Sequence, residues 1–226
     1  MPVVYADAYF LLGDQRQSPG QLTDDPNIWN SRTSPSLPNG WGAILFLKVP
    51  GWPTAVTIRG EVPPEVLVRF CSRRAFIYFL EAWAQCVPLW AFGHLIQRPF
   101  ATFCDNEAAK HALIKGYGRD EGINSLISMF WTASANLACD PWIERVSSKA
   151  NISDGVSRND FQLPRRHGWP HIHLDYEPLW PILMRAVDDI EFAVQDAPQL
   201  ACEALQSQVR RATQHWHGPD NTKPSL

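Results

Sequence analysis

The chain has 226 residues, which is enough for one large domain or for a domain with extensions. Hydrophobic residues make up 45% of it and charged residues 19%, a composition that is typical of a globular protein and argues against a disordered one. The net charge of −3 argues against a surface that is basic all round, as a general coat for nucleic acid would be.

Segments for membrane insertion or secretion are missing from the sequence pattern. No apolar run reaches the length of about 18 residues that indicates a membrane span. Residues 1–7 lack the basic start and the long apolar core of a signal peptide. The five cysteines are scattered and form no CxxC pair, so neither a zinc site nor a disulfide framework is indicated. We therefore expect an intracellular protein, in the cytoplasm or the nucleus, with reduced thiols and no membrane partner.

The first part of the chain predicts three antiparallel strands in meander order. The first strand is apolar on both faces, as a central strand should be, and Asp7 interrupts it. A long polar loop over residues 13–40 follows, and Asn39-Gly40 forms the turn before the second strand. The predicted strands cover residues 3–11, 41–48 and 54–59.

A long helix and a fourth strand come next. Residues 73–87 are apolar nearly all round, which predicts a helix buried against the sheet and stopped by Pro88. Glu81 is the one acid of this helix, and a buried Glu is rarely left unpaired. Residues 100–104 predict the fourth strand, which delivers Asp105 to the C-terminal edge of the sheet.

The remaining elements complete an α/β fold. A fifth strand over residues 141–146 gives a mixed sheet of three antiparallel strands followed by two parallel ones, flanked by helices. Residues 1–160 form the predicted α/β domain, in which the loop is an insertion, and residues 161–226 form a helical extension with a frayed tail. The other predicted helices cover residues 106–115, 121–137, 178–194 and 197–216.

Four acids fall on these elements at places that one sheet edge could share: Asp7, Glu81, Asp105 and Asp154, the last in the turn after the fifth strand. Each has a structural alternative. Asp7 could lie in water at a sheet edge, Glu81 could pair with an arginine two turns back, and Asp105 could cap a helix. Four carboxylates at one edge would repel each other unless cations lay between them. Oxygen-only ligands favour Mg²⁺ or Mn²⁺, in a set that suits a two-metal phosphodiester hydrolase.

Five segments around these acids carry a family resemblance: Tyr5-Ala6-Asp7-Ala8, Gly40-Trp41-Gly42-Ala43, and residues 79–84, 104–109 and 147–158. In this order, and on these elements, they resemble the ribonuclease H domain of a retroelement reverse transcriptase. The resemblance covers residues 3–158 and implies a ribonuclease H-like fold. It implies endonucleolytic hydrolysis of the RNA strand of RNA–DNA hybrids. It also implies a polymerase domain of the same polyprotein as a partner, so we expect either a domain of a larger chain or a free-standing relative.

The resemblance also implies a role for each acid. Asp7 would bridge two Mg²⁺ ions, which Mn²⁺ can replace. Glu81 and Asp105 would complete the site of the ion that activates water. Asp154 would hold the second ion, nearer the leaving oxygen. Because the protein is acidic overall, it must bind a hybrid through a local patch of basic and polar side chains. The candidates for this patch are Arg73, Arg74, Asn106, Lys149 and Arg158.

The sequence departs from the family pattern in two places. The loop over residues 13–40 is long for this family. Many members carry a His in a loop just before the last acid, whereas residues 147–151 contain none. Lys149 is either an electrostatic replacement for this His or a solvated lysine.

Two rival functions and one rival metal site have weaker support. A 3′–5′ exonuclease of related fold would need an Asp-x-Glu motif in the first strand, where Tyr9 stands instead of the Glu. A catalytically inactive scaffold that binds protein or RNA would have lost a carboxylate, and all four are present. His171 and His173 have the spacing of a zinc pair without an indicated third ligand, which favours a surface loop there.

Overall fold

A five-stranded sheet is the centre of the structure, a computed structural model that describes residues 1–10, 39–70, 76–96, 99–118 and 121–217. The strands are β1 (Val3–Phe10), β2 (Asn39–Phe46), β3 (Val56–Gly60), β4 (Pro99–Cys104) and β5 (Asp140–Arg145). Their spatial order is β3-β2-β1-β4-β5. The pairs β1–β2 and β2–β3 are antiparallel, and the pairs β1–β4 and β4–β5 are parallel. The predicted α/β fold, with its mixed sheet, flanking helices and C-terminal helical extension, is confirmed.

The helices of the described residues are α1 (Pro64–Phe70), α2 (Phe76–Ile96), α3 (Glu107–Lys115), α4 (Glu121–Asn136), α5 (Asp154–Ser157), α6 (Gln162–His167), α7 (Leu179–Asp188), α8 (Ile190–Gln195) and α9 (Ala197–Thr213). Two 3₁₀ turns lie at Ser148–Ala150 and Gln214–His217. None of these helices combines the length and the apolar character that crossing a membrane requires. The single helix predicted over residues 178–194 is wrong, because Asp189 has extended backbone angles and caps the start of α8 with its side chain.

Helix α2 continues to Ile96, so the predicted stop at Pro88 is wrong. A proline inside a helix removes one backbone hydrogen bond and costs about 3 kcal/mol. The residues that follow, Leu89, Trp90 and Phe92, are each at most 1% exposed. Burying a large apolar side chain contributes roughly 1.5–3 kcal/mol, so three of them outweigh the cost of the proline. The predicted all-round apolar character fits this position, because α2 packs against β1 and β2 and also against α4 and α9.

The C-terminal helices pack on the same core as the sheet. Leu183 of α7 and Leu205 of α9 belong to one hydrophobic cluster with residues of the sheet and of α2. The ring of Trp180 lies 5.5 Å from that of Trp83 on α2, measured between centroids. The helical extension therefore packs against α2 and shares its core with the sheet.

Two glycines of β2 allow α5 to lie directly against the sheet. A Cβ atom at Gly42 would lie 2.7 Å from the backbone nitrogen of Ser157, and one at Gly40 would lie 2.5 Å from its backbone oxygen. A larger residue at either position would therefore displace α5. Both glycines lie within β2, so the predicted turn at Asn39-Gly40 is wrong, whereas residues 13–38 of the predicted loop lie outside the described residues. Gly42 pairs with Asp7 across the two strands, so this close approach places α5 beside Asp7.

Candidate metal centre

Three carboxylates from three different elements meet beside the central strands β1 and β4. Asp7 lies on β1, Glu81 on α2, and Asp105 directly after β4. One oxygen of each lies within 4.8 Å of the others. The strands β1 and β4 are parallel and Tyr5 pairs with Phe103, so Asp7 lies level with Asp105, which follows the end of β4. Helix α2 packs across β1 and brings Glu81 to the same place. This buried acidic cluster could hold a metal ion.

Burial makes the charged forms of these acids costly. It raises the pKa of Asp7 to about 7; a hydrogen bond from Ser157 lowers the pKa, and the charges of Asp105 and Asp154 raise it further. Burial also raises the pKa of Glu81 well above its ordinary value, and the charges of Asp7 and Asp105 add to the effect. Asp7 and Glu81 are only 2% and 3% exposed, so water screens them poorly. A bound cation would stabilise the charged forms.

We expect the Asp7→Asn variant to gain stability over the wild type as the pH rises. Between about pH 4 and pH 7 the unfolded Asp7 is ionised, while the folded carboxyl still holds its proton at a pKa of about 7. The folded wild type therefore binds more protons than the unfolded chain and loses stability with rising pH. The difference between variant and wild type should grow by about 1.4 kcal/mol per pH unit in this window.

Urea unfolding at several pH values in EDTA measures this difference. Burial lowers the pKa values of His94 and His171 to about 4. These two histidines make both proteins more stable as the pH rises toward about 6.5, which opposes the effect of Asp7. Subtracting the variant from the wild type removes this shared contribution. If Mg²⁺ binds the cluster, added Mg²⁺ should prevent the wild type from losing stability as the pH rises. A difference that does not change between pH 4 and pH 7 would contradict the raised pKa of Asp7.

Asp154 begins α5 and is not one of the three carboxylates that meet. Its Oδ1 accepts a hydrogen bond of 3.0 Å from Nε of Arg158, and both side chains are about 45% exposed. The guanidinium of Arg158 also lies over the ring of Tyr9, 5.5 Å from its centroid. Asp154 is nevertheless near enough to raise the pKa of Asp7. The structure therefore places Asp154 and Arg158 together at the exposed rim of the acidic cluster.

The cap of helix α3 is Asn106, which excludes the alternative of Asp105 as the N-cap. Oδ1 of Asn106 accepts the backbone N–H of Ala109 at 3.0 Å. Asp105 lies instead beside Asp7 and Glu81. Asn106, a candidate for contact with the substrate, thus has its side-chain oxygen engaged by its own helix.

Two residues that were not among the predicted site residues hold Asp7. Nδ2 of Asn151 donates to one carboxylate oxygen at 3.1 Å, and the hydroxyl of Ser157 donates to the other at 2.7 Å. Asn151 is 5% exposed and Ser157 is fully buried. Both belong to the segment over residues 147–158 that carried the resemblance, where they stand three residues before and three residues after Asp154. Their equal distance in sequence from Asp154, three residues on either side, is the feature of the sequence that could have indicated these two residues.

The remaining predicted site residues differ in their exposure and in their partners. Lys149 is exposed in the 3₁₀ turn before Asn151. Arg73 and Arg74 lie outside the described residues. In the part of the chain that the structure describes, Glu81 has no ion pair, and the backbone N–H of Ala8 donates to its carboxylate.

The histidine pair lies in an irregular, partly exposed segment beside β3, the strand at the outer edge of the sheet. The backbone N–H of Thr57 donates to the carbonyl of Pro170, and that of Ile172 donates to the carbonyl of Thr57. The hydroxyl of Thr57 lies 3.1 Å from Nδ1 of His171, whose ring lies 4.5 Å from that of His173. Within the described ranges, the acidic cluster is the one group of three or more potential ligands, so the histidine pair lacks a third ligand. The segment is thus a surface loop, as predicted, which one isolated bridge between Thr57 and His171 joins to β3.

The donor chemistry of the cluster fits a hard divalent cation. Its ligand atoms are carboxylate oxygens, with no nitrogen or sulfur ligand in the group, and such sets favour Mg²⁺ or Mn²⁺ over zinc. Two of its members are buried acids whose charged forms a cation would stabilise. Comparison of the chain with models of protein families, with curated proteins and with solved structures found no match. The acidic cluster and the motifs that contribute it are therefore the features of the chain that indicate its function.

Proposed function

We propose that the chain is a metal-dependent endonuclease of the ribonuclease H type, which hydrolyses the RNA strand of RNA–DNA hybrids as part of a retroelement reverse transcriptase. One observation carries the proposal. Asp7, Glu81 and Asp105, each from a different motif, bring carboxylate oxygens within 4.8 Å of one another, beside the carboxyl end of β4. The substrate class follows from the motifs, since the resemblance that they carry is to enzymes that cut hybrids.

Asp7 and Glu81 are almost fully buried, whereas Asp105 and Asp154 are partly exposed. Asp7, Glu81 and Asp105 would hold one Mg²⁺ ion, and Asp7 with Asp154 would hold a second. Bound ions would supply an activated water and stabilise the charge on the leaving oxygen. Because Asp7 and Glu81 are almost fully buried, water is excluded around them and their interaction with charge is strong.

In the proposed site, Asp154 would exchange its ion pair with Arg158 for a bond to the second ion. An exposed ion pair of this kind contributes less than about 1 kcal/mol, so the exchange costs little. The released guanidinium would then lie at the rim of the cluster, where a phosphate of the bound strand could take the place of Asp154. Arg158 would thus bind the substrate.

The acidic protein would bind the hybrid through a small number of basic side chains. A hybrid has an A-like shape and is recognised through its phosphates and 2′-hydroxyl groups. Lys149 and Arg158 lie on either side of Asp154 in the chain and are both at least partly exposed. These two are therefore the candidates, among the described residues, for contact with the scissile strand.

The Lys149→Ala variant is expected to bind hybrid more weakly at low salt, with little change in sequence preference. One phosphate contact is lost, so the slope of log K against log salt concentration should fall by roughly one unit. Fluorescence anisotropy with a labelled hybrid in Ca²⁺ or EDTA measures both quantities. The matched control is Lys115→Ala, which removes an exposed lysine at the far end of α3. Equal salt slopes for the Lys149 variant and the wild type would contradict the contact.

Cleavage of a labelled hybrid, analysed on a denaturing gel with and without Mg²⁺, tests the proposed function. Internal cuts in the RNA strand that require the metal would support it. Products that shorten stepwise from the 3′ end would support a 3′–5′ exonuclease. If neither Mg²⁺ nor Mn²⁺ supports any cleavage, the chain is better explained as a scaffold that binds protein or RNA.

A further inference from the structure

Polar side chains of residues 151–157 hold Asp7 by both carboxylate oxygens. Asn151 donates through Nδ2 to Oδ1 at 3.1 Å, and Ser157 donates through its hydroxyl to Oδ2 at 2.7 Å. Asp7 is 144 residues from Asn151 and 150 residues from Ser157 in sequence, so these contacts exist only in the folded chain. A carboxylate offers roughly four lone-pair positions, so about two remain, one on each oxygen. Asp7 thus keeps one position per oxygen for a ligand.

The orientation of the Asn151 amide is determined by its other partners. Its Oδ1 accepts the hydroxyl of Ser153 at 2.6 Å and the backbone N–H of Ser153 at 3.3 Å. Its Nδ2 also donates to the carbonyl of Ala6 at 3.3 Å. A flipped amide would turn its oxygen toward the Asp7 carboxylate and the Ala6 carbonyl, and its NH₂ toward two donors. Asn151 therefore presents a donor to Asp7 in one fixed orientation.

Ser157 connects Asp7 to the residue that begins α5. Its hydroxyl oxygen lies 2.7 Å from Asp7 Oδ2 and 2.8 Å from the carbonyl oxygen of Asp154. A hydroxyl has one proton, and an ionised carboxylate is the stronger acceptor, so the proton points to Asp7 when Asp7 is charged. Gly42 of β2 leaves room for this contact, because a Cβ atom there would meet the backbone of Ser157.

We propose that Asn151 and Ser157 are positioning residues, which orient the Asp7 carboxylate for metal binding and set the position of Asp154 relative to it. The inference rests on the proposed function, because it assigns these two side chains to the same metal site. Neither is a ligand itself. Hydrogen-bond partners of ligating side chains typically change metal affinity or activity by roughly 10- to 100-fold when they are removed.

Calorimetric titration of the folded, metal-free protein with Mn²⁺, without substrate, tests the positioning role. Ser157→Ala and Asn151→Ala are each expected to raise the Kd for Mn²⁺ by roughly 10- to 100-fold and to shift the Mg²⁺ dependence of hybrid cleavage to higher concentration by a similar factor. Ser148→Ala is the matched control, since it removes an exposed serine hydroxyl from the same segment. Circular dichroism in EDTA gives the melting temperature and the temperature range in which each variant is folded.

The possible outcomes separate this inference from the proposed function. If both variants melt earlier but bind Mn²⁺ as the wild type does, the two side chains are structural and the positioning role is overturned. The same conclusion follows if neither variant folds. If the variants lose Mn²⁺ affinity while the wild type cuts no hybrid, the positioning role stands and the proposed function fails. A wild type that binds no Mn²⁺ overturns the positioning role, whereas the cleavage assay alone decides the proposed function.

Discussion

Replacement of Asp105 by Asn is expected to reduce hybrid cleavage at least about a thousandfold while the protein stays folded. The variant loses one of three carboxylates that lie within 4.8 Å of one another. A metal ion contributes several kcal/mol to the stabilisation of the transition state, and each 1.4 kcal/mol corresponds to about a factor of ten in rate. The amide is nearly isosteric, and α3 keeps its cap because Asn106 provides it. Single-turnover cleavage of a labelled hybrid in Mg²⁺ measures the loss.

The melting temperature of the Asp105→Asn variant in EDTA separates a catalytic role from a structural one. The charge of Asp105 raises the pKa of both Asp7 and Glu81, so its removal relieves repulsion in the metal-free protein. The melting temperature should therefore hold or rise. Asp140→Asn is the matched control, because this exposed acid begins β5 at the opposite end of the parallel strands. Retained cleavage together with a clearly lower melting temperature would assign Asp105 to the fold instead.

The wild type is expected to cut an RNA–DNA hybrid at least about a hundredfold faster than duplex DNA of the same sequence, and to cut only the RNA strand. The 2′-hydroxyl distinguishes the two strands, and a site that hydrogen-bonds a substrate hydroxyl strongly rejects an analogue without it. Initial rates with the label placed on either strand, measured in Mg²⁺, give the selectivity. The Asp105→Asn variant, purified in the same way, controls for a contaminating nuclease.

Each result with these substrates has a distinct meaning. Equal rates on hybrid and duplex DNA would exclude the ribonuclease H type and leave a general metal-dependent nuclease, with the acidic cluster unchanged in its role. A hybrid whose RNA carries a single 2′-deoxynucleotide at a mapped cut site should lose cleavage at that site and keep it elsewhere. Unchanged cleavage there would show that the hydroxyl at the cut position is not what the protein recognises.

The apolar pattern of the chain is sufficient for the sheet and for three of the acids. Strands 3–10 and 99–104 are short apolar runs, and such runs pair in the middle of a sheet because both of their faces are then buried. An acid that follows or interrupts a run of this kind must lie near the sheet, so Asp7 and Asp105 could be placed from their neighbours alone. Glu81 could be placed because an all-round apolar helix has no exposed side for it.

Choices that depend on distant partners could not be predicted in this way. Pro88 stays inside a helix because residues around it are buried by the C-terminal helices, which are more than 90 residues away in the chain. The neighbours Asp105 and Asn106 are both good caps, and only the packing of β4 against β1 turns the first toward the cluster. Asn151 and Ser157 contact Asp7 across about 150 residues, because two glycines of β2 let α5 approach. Local propensity covers one or two turns of chain, whereas these contacts depend on which surfaces meet when the sheet and its helices are assembled.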